Sequence, residues 1–125
     1  MSSFSDVQND IIRWSEARKI IPNSTPTAQL LKAFSEMGEL ADATAKQNRD
    51  EIVDAVGDVM VCMVNYCALA DIDLVECMYV AYDQIKHRTG TMLPSGVFLK
   101  DDKGATGAMQ KAYVPPGANG PAGNA

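Results

Sequence analysis

Residues 48–69 read NRDEIVDAVGDVMVCMVNYCAL, and inside them residues 54–61, DAVGDVMV, set two carboxylates one helical turn apart among Ala, Val, Gly and Met. An unpaired charge buried in such company costs several kcal/mol, so these acids need a partner that the stretch itself does not contain. Ile52, Val53, Val56, Val59, Met60, Val61, Met63 and Val64 are apolar on nearly every other side, which predicts a central, buried helix. A helical step of about 100° places Glu51, Asp54 and Asp58 within about 60° of one another, with Asn65 two turns beyond Asp58 on the same stripe. Asn48 and Glu51 have the spacing of a capping box, which explains Glu51 structurally. Asp is a poor helix former, and no such role explains Asp54 or Asp58.

Working outward, helical periods and caps recur while strand alternation does not. A first helix is predicted from Ser5, with Gln8 completing a capping box, to about Lys19. IPNSTPT, residues 21–27, is then a loop in which Thr25 caps a second helix and Pro26 takes its first position, where a missing N–H does no harm. That helix runs to about Lys46. Asp73 and Glu76 open a fourth helix that stops near Gly90. TMLPSGVFLK, residues 91–100, reads as an ordered, extended arm, which would shelter Val97, Phe98 and Leu99. From Asp101 onward the chain is rich in Gly, Ala and Pro and reads as a flexible tail. The expected organisation is one helical domain over residues 1–100 and a tail over residues 101–125. The expected fold is all-α, a four-helix bundle.

On the second helix Gln29, Lys32, Glu36 and Glu39 share a stripe opposite Leu30, Phe34, Met37, Ala41 and Ala45. If the second and third helices pair antiparallel across their short loop, the two acidic stripes face each other. Four or five carboxylates converging there cannot all stay ionised without a compensating cation. A hard divalent ion such as Mg²⁺ takes oxygen ligands and keeps waters that a phosphorylated substrate can replace. Each acid also has a plainer reading: Glu36 pairs with Lys32 at i−4, Glu39 is a solvated helix residue, and Asn65 is a satisfied core amide.

The 125 residues carry a net charge of −5, enough chain for one domain and the wrong sign for a dedicated binder of nucleic-acid backbone. The N-terminal stretch lacks a secretory pattern, and no uninterrupted apolar run reaches the ~18 residues of a membrane span. The expectation is a soluble, cytoplasmic protein with neither nucleic acid nor membrane as partner. Cys62, Cys67 and Cys77 are odd in number, form no CxxC, and read as small buried hydrophobes rather than disulfides or zinc ligands. Phosphate-loop, dinucleotide-fingerprint and HExxH motifs are absent, and His87 is the lone histidine.

IIRWSEARKII, STPTAQLLKAFSEMGEL, DEIVDAVGDVMV and YDQIKHRTGTMLPSGVFLK together resemble the MazG-like family of all-α nucleoside triphosphate pyrophosphohydrolases, in particular its short, phage-type members. The resemblance covers residues 11–100. The family pattern is ExxE on one helix and an acidic pair ending in Asp on the next. Glu36 and Glu39 match the first, and Asp58 matches the final Asp. The chain departs at Ser35, where many members carry a further Glu, and at Ala55, where ExxD would require one. Asp54 matches a second acidic position that is often present, while Glu51 and Asp54 form an ExxD one turn early.

The resemblance implies Mg²⁺-dependent hydrolysis, with Mn²⁺ as a substitute ion, of a nucleoside triphosphate to monophosphate and pyrophosphate. It makes Glu36, Glu39 and Asp58 the catalytic carboxylates, and these with Asp54 the metal ligands. Lys32, Asn65, Lys86, Arg88 and Trp14 are the substrate-binding candidates. Lys86 and Arg88 match the family's basic cluster but also suit a helix C-terminus, and Trp14 either stacks on a base or packs in the core. The family forms homodimers or homotetramers. Narrower hydrolysis of dUTP, dCTP or a guanosine polyphosphate, and a helical interaction module without catalysis, are the rival readings.

Overall fold

The computed structural model describes residues 2–101. Along the chain come α1 (Phe4–Ala17), α2 (Ile20–Asn23), α3 (Pro26–Lys46), α4 (Arg49–Leu69), α5 (Leu74–Ile85), β1 (Gly90–Met92) and β2 (Phe98–Lys100). The all-α expectation holds: four substantial helices, one single turn and a minimal hairpin make up the described chain. The tail anticipated beyond Asp101 lies outside the described residues.

Local chemistry sets most helix ends. The Thr25 hydroxyl accepts from Ala28 N at 3.0 Å, with Pro26 opening α3. Asn48 Oδ1 accepts from Glu51 N at 3.2 Å and starts α4, and Asp73 Oδ1 accepts from Val75 N at the head of α5. Two boundaries differ from the sequence reading. The first helix starts at Ser3 rather than Ser5, because Ser3 and Asp6 satisfy each other's backbone N–H in a full capping box. The last helix stops at Ile85 rather than near Gly90, since the chain turns at residues 86–87 and enters β1.

The chain divides within α5, between Ala81 and Tyr82, into two compact units. The first is organised around α3 and α4, which pack along their whole length. Their order is antiparallel: Gln29 meets Asn65 at one end and Lys46 meets Glu51 at the other. Ala33, Ala43, Ala55 and Cys62 are buried, and side chains this small let the two backbones approach closely. α1 lies against α4, where Ile11, Ile12, Met60, Met63 and Tyr66 pack around Val64, Cys67 and Leu74.

A polar chain runs beside that apolar cluster. Ser15, whose side chain is fully buried, donates to Asn65 Oδ1 at 2.6 Å. Asn65 Nδ2 donates to Gln29 Oε1 at 3.5 Å, and Gln29 Nε2 donates to Ser24 Oγ at 3.1 Å. One file of hydrogen bonds therefore ties α1, α4, α3 and the loop before α3.

The expectation that α4 is buried all round is corrected. Val53 and Val56 are exposed, as are Leu30, Leu31, Phe34 and Met37 on α3, so one side of the helix pair stays open among the described residues. By length and composition α4 is the one helix among the described residues apolar enough to cross a membrane. Asp54 and Asp58 interrupt it, and mid-bilayer carboxylates are expensive; its packing on α3 reads it as the central helix of the fold.

In the second unit, β1 and β2 pair antiparallel with Thr91 opposite Leu99. Gly96, at φ 91°, turns the chain in a conformation that suits glycine. A Cβ at Gly90 would strike the Phe98 ring and the Leu99 carbonyl. The expected extended arm is thus a hairpin, yet Val97, Phe98 and Leu99 remain exposed on it.

Ser15→Ala would leave the Asn65 carbonyl oxygen buried without its donor. Thermal and urea unfolding should show a loss of about 1–3 kcal/mol, with little change for Ser95→Ala on the hairpin.

Candidate active site

The face of α3 that meets α4 carries Gln29, Lys32, Glu36 and Glu39 in successive turns, and α4 answers with Asn65, Asp58, Asp54 and Glu51. Glu36 is buried, and Lys32 Nζ holds its Oε2 at 3.4 Å. Asp58 is half-buried and stands within the fields of Asp54, Glu36 and Lys32. Burial pushes the Asp58 carboxyl above its ordinary value of 3.8, the negative charges of Asp54 and Glu36 push it further, and Lys32 opposes the rise. Cys62 sits one turn deeper, its thiol raised by burial, with Lys32, Glu36 and Asp58 all acting on it. Lys32, Glu36, Asp54 and Asp58 thus form one electrostatic group with three negative charges and one positive.

Beside this group lies a cleft of about 350 Å³ lined by Glu39, Asp42, Lys46, Glu51, Asp54 and Ala55. Asp54 belongs to both. Glu51, which the sequence explains as part of a cap, also faces Lys46 at 3.8 Å. Asp42 and Lys46 were not anticipated. The signal was present, since Asp42 continues the three-residue spacing of Glu36 and Glu39 and Lys46 follows one turn later. Ala55 is buried between the two helices and forms part of the cleft wall.

The remaining candidates are each placed by their own surroundings. Asn65, two turns along α4 from Asp58, has both ends of its amide engaged by Ser15 and Gln29. Trp14 is half-exposed on α1, with the Arg18 guanidinium 4.6 Å from its ring centroid. Lys86 and Arg88 belong to the second unit, and Lys86 Nζ pairs with Asp83 Oδ1 at 3.0 Å. His87 is exposed. Of the cysteines, Cys62 and Cys67 are buried as expected; Cys77 is exposed, as are the α5 residues that follow it.

Among the described residues no three His, Cys, Asp or Glu side chains converge tightly enough to enclose an ion unaided. The donor chemistry nevertheless fits a hydrated hard cation. The ligands on offer are carboxylate oxygens, Mg²⁺ takes only one or two of these while keeping waters, and the like-charge repulsion at Asp58 is what a cation relieves.

The raised Asp58 carboxyl has a consequence for stability. The unfolded chain loses this proton before the folded one does, so folding stability falls as pH rises from about 3.8 through the folded value. In chelator at pH 7, Asp58→Asn should therefore melt above the wild type, and the difference should shrink as pH is lowered toward 3.8.

A family profile for the MazG nucleotide pyrophosphohydrolase domain matches residues 24–92, which hold α3, α4, α5 and β1. An uncharacterised 18.2 kDa protein from the rep–hol intergenic region of Haemophilus phage HP1 is 38% identical over 64 residues, covering 51% of this chain. The match spans 39% of that phage protein's length. No solved structure matches the chain significantly. MazG proteins are nucleotide pyrophosphohydrolases that use divalent metal ions, and the matched residues include every acid on the facing stripes of α3 and α4. By that match this chain belongs to the MazG nucleotide pyrophosphohydrolase domain family.

Proposed function

We propose that the protein hydrolyses a nucleoside triphosphate, ribo or deoxyribo, to the monophosphate and pyrophosphate with Mg²⁺ as cofactor. The observation that carries this reading is the Glu36–Asp54–Asp58 group, three carboxylates that Lys32 only partly offsets, next to an open acidic cleft. A polyanionic substrate is repelled by such a surface unless a divalent cation stands between them, and an Mg²⁺–triphosphate complex meets that requirement.

When bound, Mg²⁺ neutralises the triphosphate oxygens and makes the phosphorus more electrophilic. Glu36, Asp54, Asp58 and Glu39 are the residues that would hold it, one or two by direct ligation and the others through its waters. Lys32 keeps the Glu36 carboxylate oriented through its ion pair. Glu39 is exposed and has no ion pair among the described residues, so its carboxylate is free to take a proton from the attacking water. Lys32 supplies cationic charge of the kind phosphates bind. The exposed Trp14–Arg18 pair offers a planar surface for a base.

Product analysis tests this directly. With Mg²⁺ and a panel of NTPs and dNTPs, monophosphate and pyrophosphate should form in equal amounts. Glu39→Ala and Asp58→Asn should each lower kcat/KM by at least about 100-fold, beyond what losing a supporting contact to a metal ligand costs. Mg²⁺ should raise the Tm of the wild type and leave Asp58→Asn unmoved. Diphosphate with free phosphate would refute the reaction. Turnover of guanosine polyphosphates alone would narrow the substrate class, and a folded protein inert toward all of these would be an interaction module.

The protein is further proposed to work as a homodimer or a dimer of dimers. Leu31, Phe34, Val53 and Tyr79 are each more than 60% exposed in the single chain, more large apolar surface than a monomer ordinarily leaves in water. Light scattering should return at least twice the chain mass, and Phe34→Asp should lower it.

A further inference from the structure

Two lysines on α3 pair with carboxylates, and their settings differ. Lys32 Nζ holds Glu36 Oε2 at 3.4 Å, and the Glu36 side chain is only 11% exposed. Were Lys32 to leave, that carboxylate would stay buried without its partner, which is costly. Lys46 Nζ meets Glu51 Oε1 at 3.8 Å, with the two side chains 66% and 53% exposed. A pair so open to water contributes little, and water rehydrates Glu51 when Lys46 departs. The backbone beneath this pair is pinned. Gln47 takes a left-handed φ of 57°, Asn48 N donates to Ala43 O at 3.1 Å, and Asn48 Oδ1 caps Glu51 N. The side chains are left to move, and the flexible four-carbon stem of lysine gives its ammonium reach. Both residues line the cleft with Glu39, Asp42, Asp54 and Ala55, and among the described residues Lys46 is the one cation on its wall. Five charged side chains and an alanine offer a nucleobase neither an aromatic face nor an apolar pocket.

We propose that Lys46 is a substrate-binding residue that exchanges Glu51 for the terminal phosphate of the triphosphate, making this cleft the subsite for the pyrophosphate half of the substrate. The assignment rests on the hydrolase reading of the neighbouring carboxylates and deepens it by giving the bound substrate a direction. Glu39 and Asp54 line the cleft and also belong to the residues that would hold Mg²⁺, so phosphates beside the ion open into it. A phosphate that extends past the ion needs a cation of its own to enter an acidic cleft. Lys46 supplies one, in the last turn of α3 beyond Glu39 and Asp42, and an ammonium bonds phosphate oxygens as a point charge. A lysine that merely complemented the α3 C-terminus would have no bearing on ligand affinity. The terminal phosphate is remote from the bond that breaks, so its contact with Lys46 is alike in ground and transition states. Lys46 therefore governs KM and pyrophosphate affinity rather than kcat.

Calorimetric titration of the full-length protein with inorganic pyrophosphate in excess Mg²⁺ tests this without turnover. Lys46→Gln, a change at an exposed position, should weaken binding by at least about tenfold, and Lys46→Arg should restore most of it. Arg49→Gln removes the same charge close by in the chain but outside the cleft wall, and should change the affinity little. In turnover, Lys46→Gln should raise KM by the same factor with kcat nearly unchanged. The proposal is overturned if the wild type does not bind Mg²⁺–pyrophosphate, if Lys46→Gln and Arg49→Gln weaken binding equally, or if Lys46→Gln lowers Tm while moving neither affinity nor KM. The two readings fail separately. Release of monophosphate and pyrophosphate, with an affinity for pyrophosphate that ignores Lys46, removes the subsite and keeps the reaction. Pyrophosphate binding that needs Lys46, in a protein that hydrolyses no nucleotide of the panel, keeps the phosphate subsite and removes the reaction.

Discussion

The close antiparallel contact of α3 and α4 is the constraint on which the rest depends. Ala33, Ala43, Ala55 and Cys62 keep the two backbones near each other, and that nearness forces Glu36, Asp54 and Asp58 into one another's fields. The helices would pack more comfortably with neutral residues there, since the Asp58 carboxyl is raised by burial and by its acidic neighbours against the opposing charge of Lys32. A fold that retains this repulsion in its central interface concentrates negative potential at one place, and concentrated negative potential is what a divalent cation recognises.

The polar file Ser15–Asn65–Gln29–Ser24 continues the same interface beyond the acids. Buried polar groups of this kind demand partners in fixed positions, so they hold α1 and the loop before α3 in register with the acidic stripes. Trp14 and Arg18, on the same helix as Ser15, are thereby carried on a frame anchored to the carboxylates' own helices. The opposite side of the α3–α4 pair has a different character. Leu30, Leu31, Phe34 and Met37 on α3 and Val53 and Val56 on α4 are exposed among the described residues.

The helices and their starts were legible because short-range chemistry sets them: Thr25 with Pro26, Asn48 with Glu51, and Asp73 are caps that act within three residues. The start of α1 was misjudged by two residues because Ser3 and Ser5 are both competent caps, and only Asp6, reaching back to Ser3, distinguishes them. The stripe Glu36, Glu39, Asp54 and Asp58 was legible from helical period. Asp42 and Lys46 continue the same period, but their place in the cleft depends on how far α3 extends past the point where α4 begins. Cys77 was misread as buried because its neighbours in sequence are apolar, although those neighbours face outward in the folded chain.

By itself, the sequence determined an all-α chain, two helices each carrying an acidic stripe, and membership in a family whose motif those stripes match. Periodicity and capping are local properties, and a motif is a spacing. Tertiary structure alone decided which acids share a field and which merely line the neighbouring cleft. It also decided that Asn65 spends its amide on Ser15 and Gln29. Those outcomes depend on helix register and on the direction in which a turn returns the chain, and neither is encoded in the residues of one element alone.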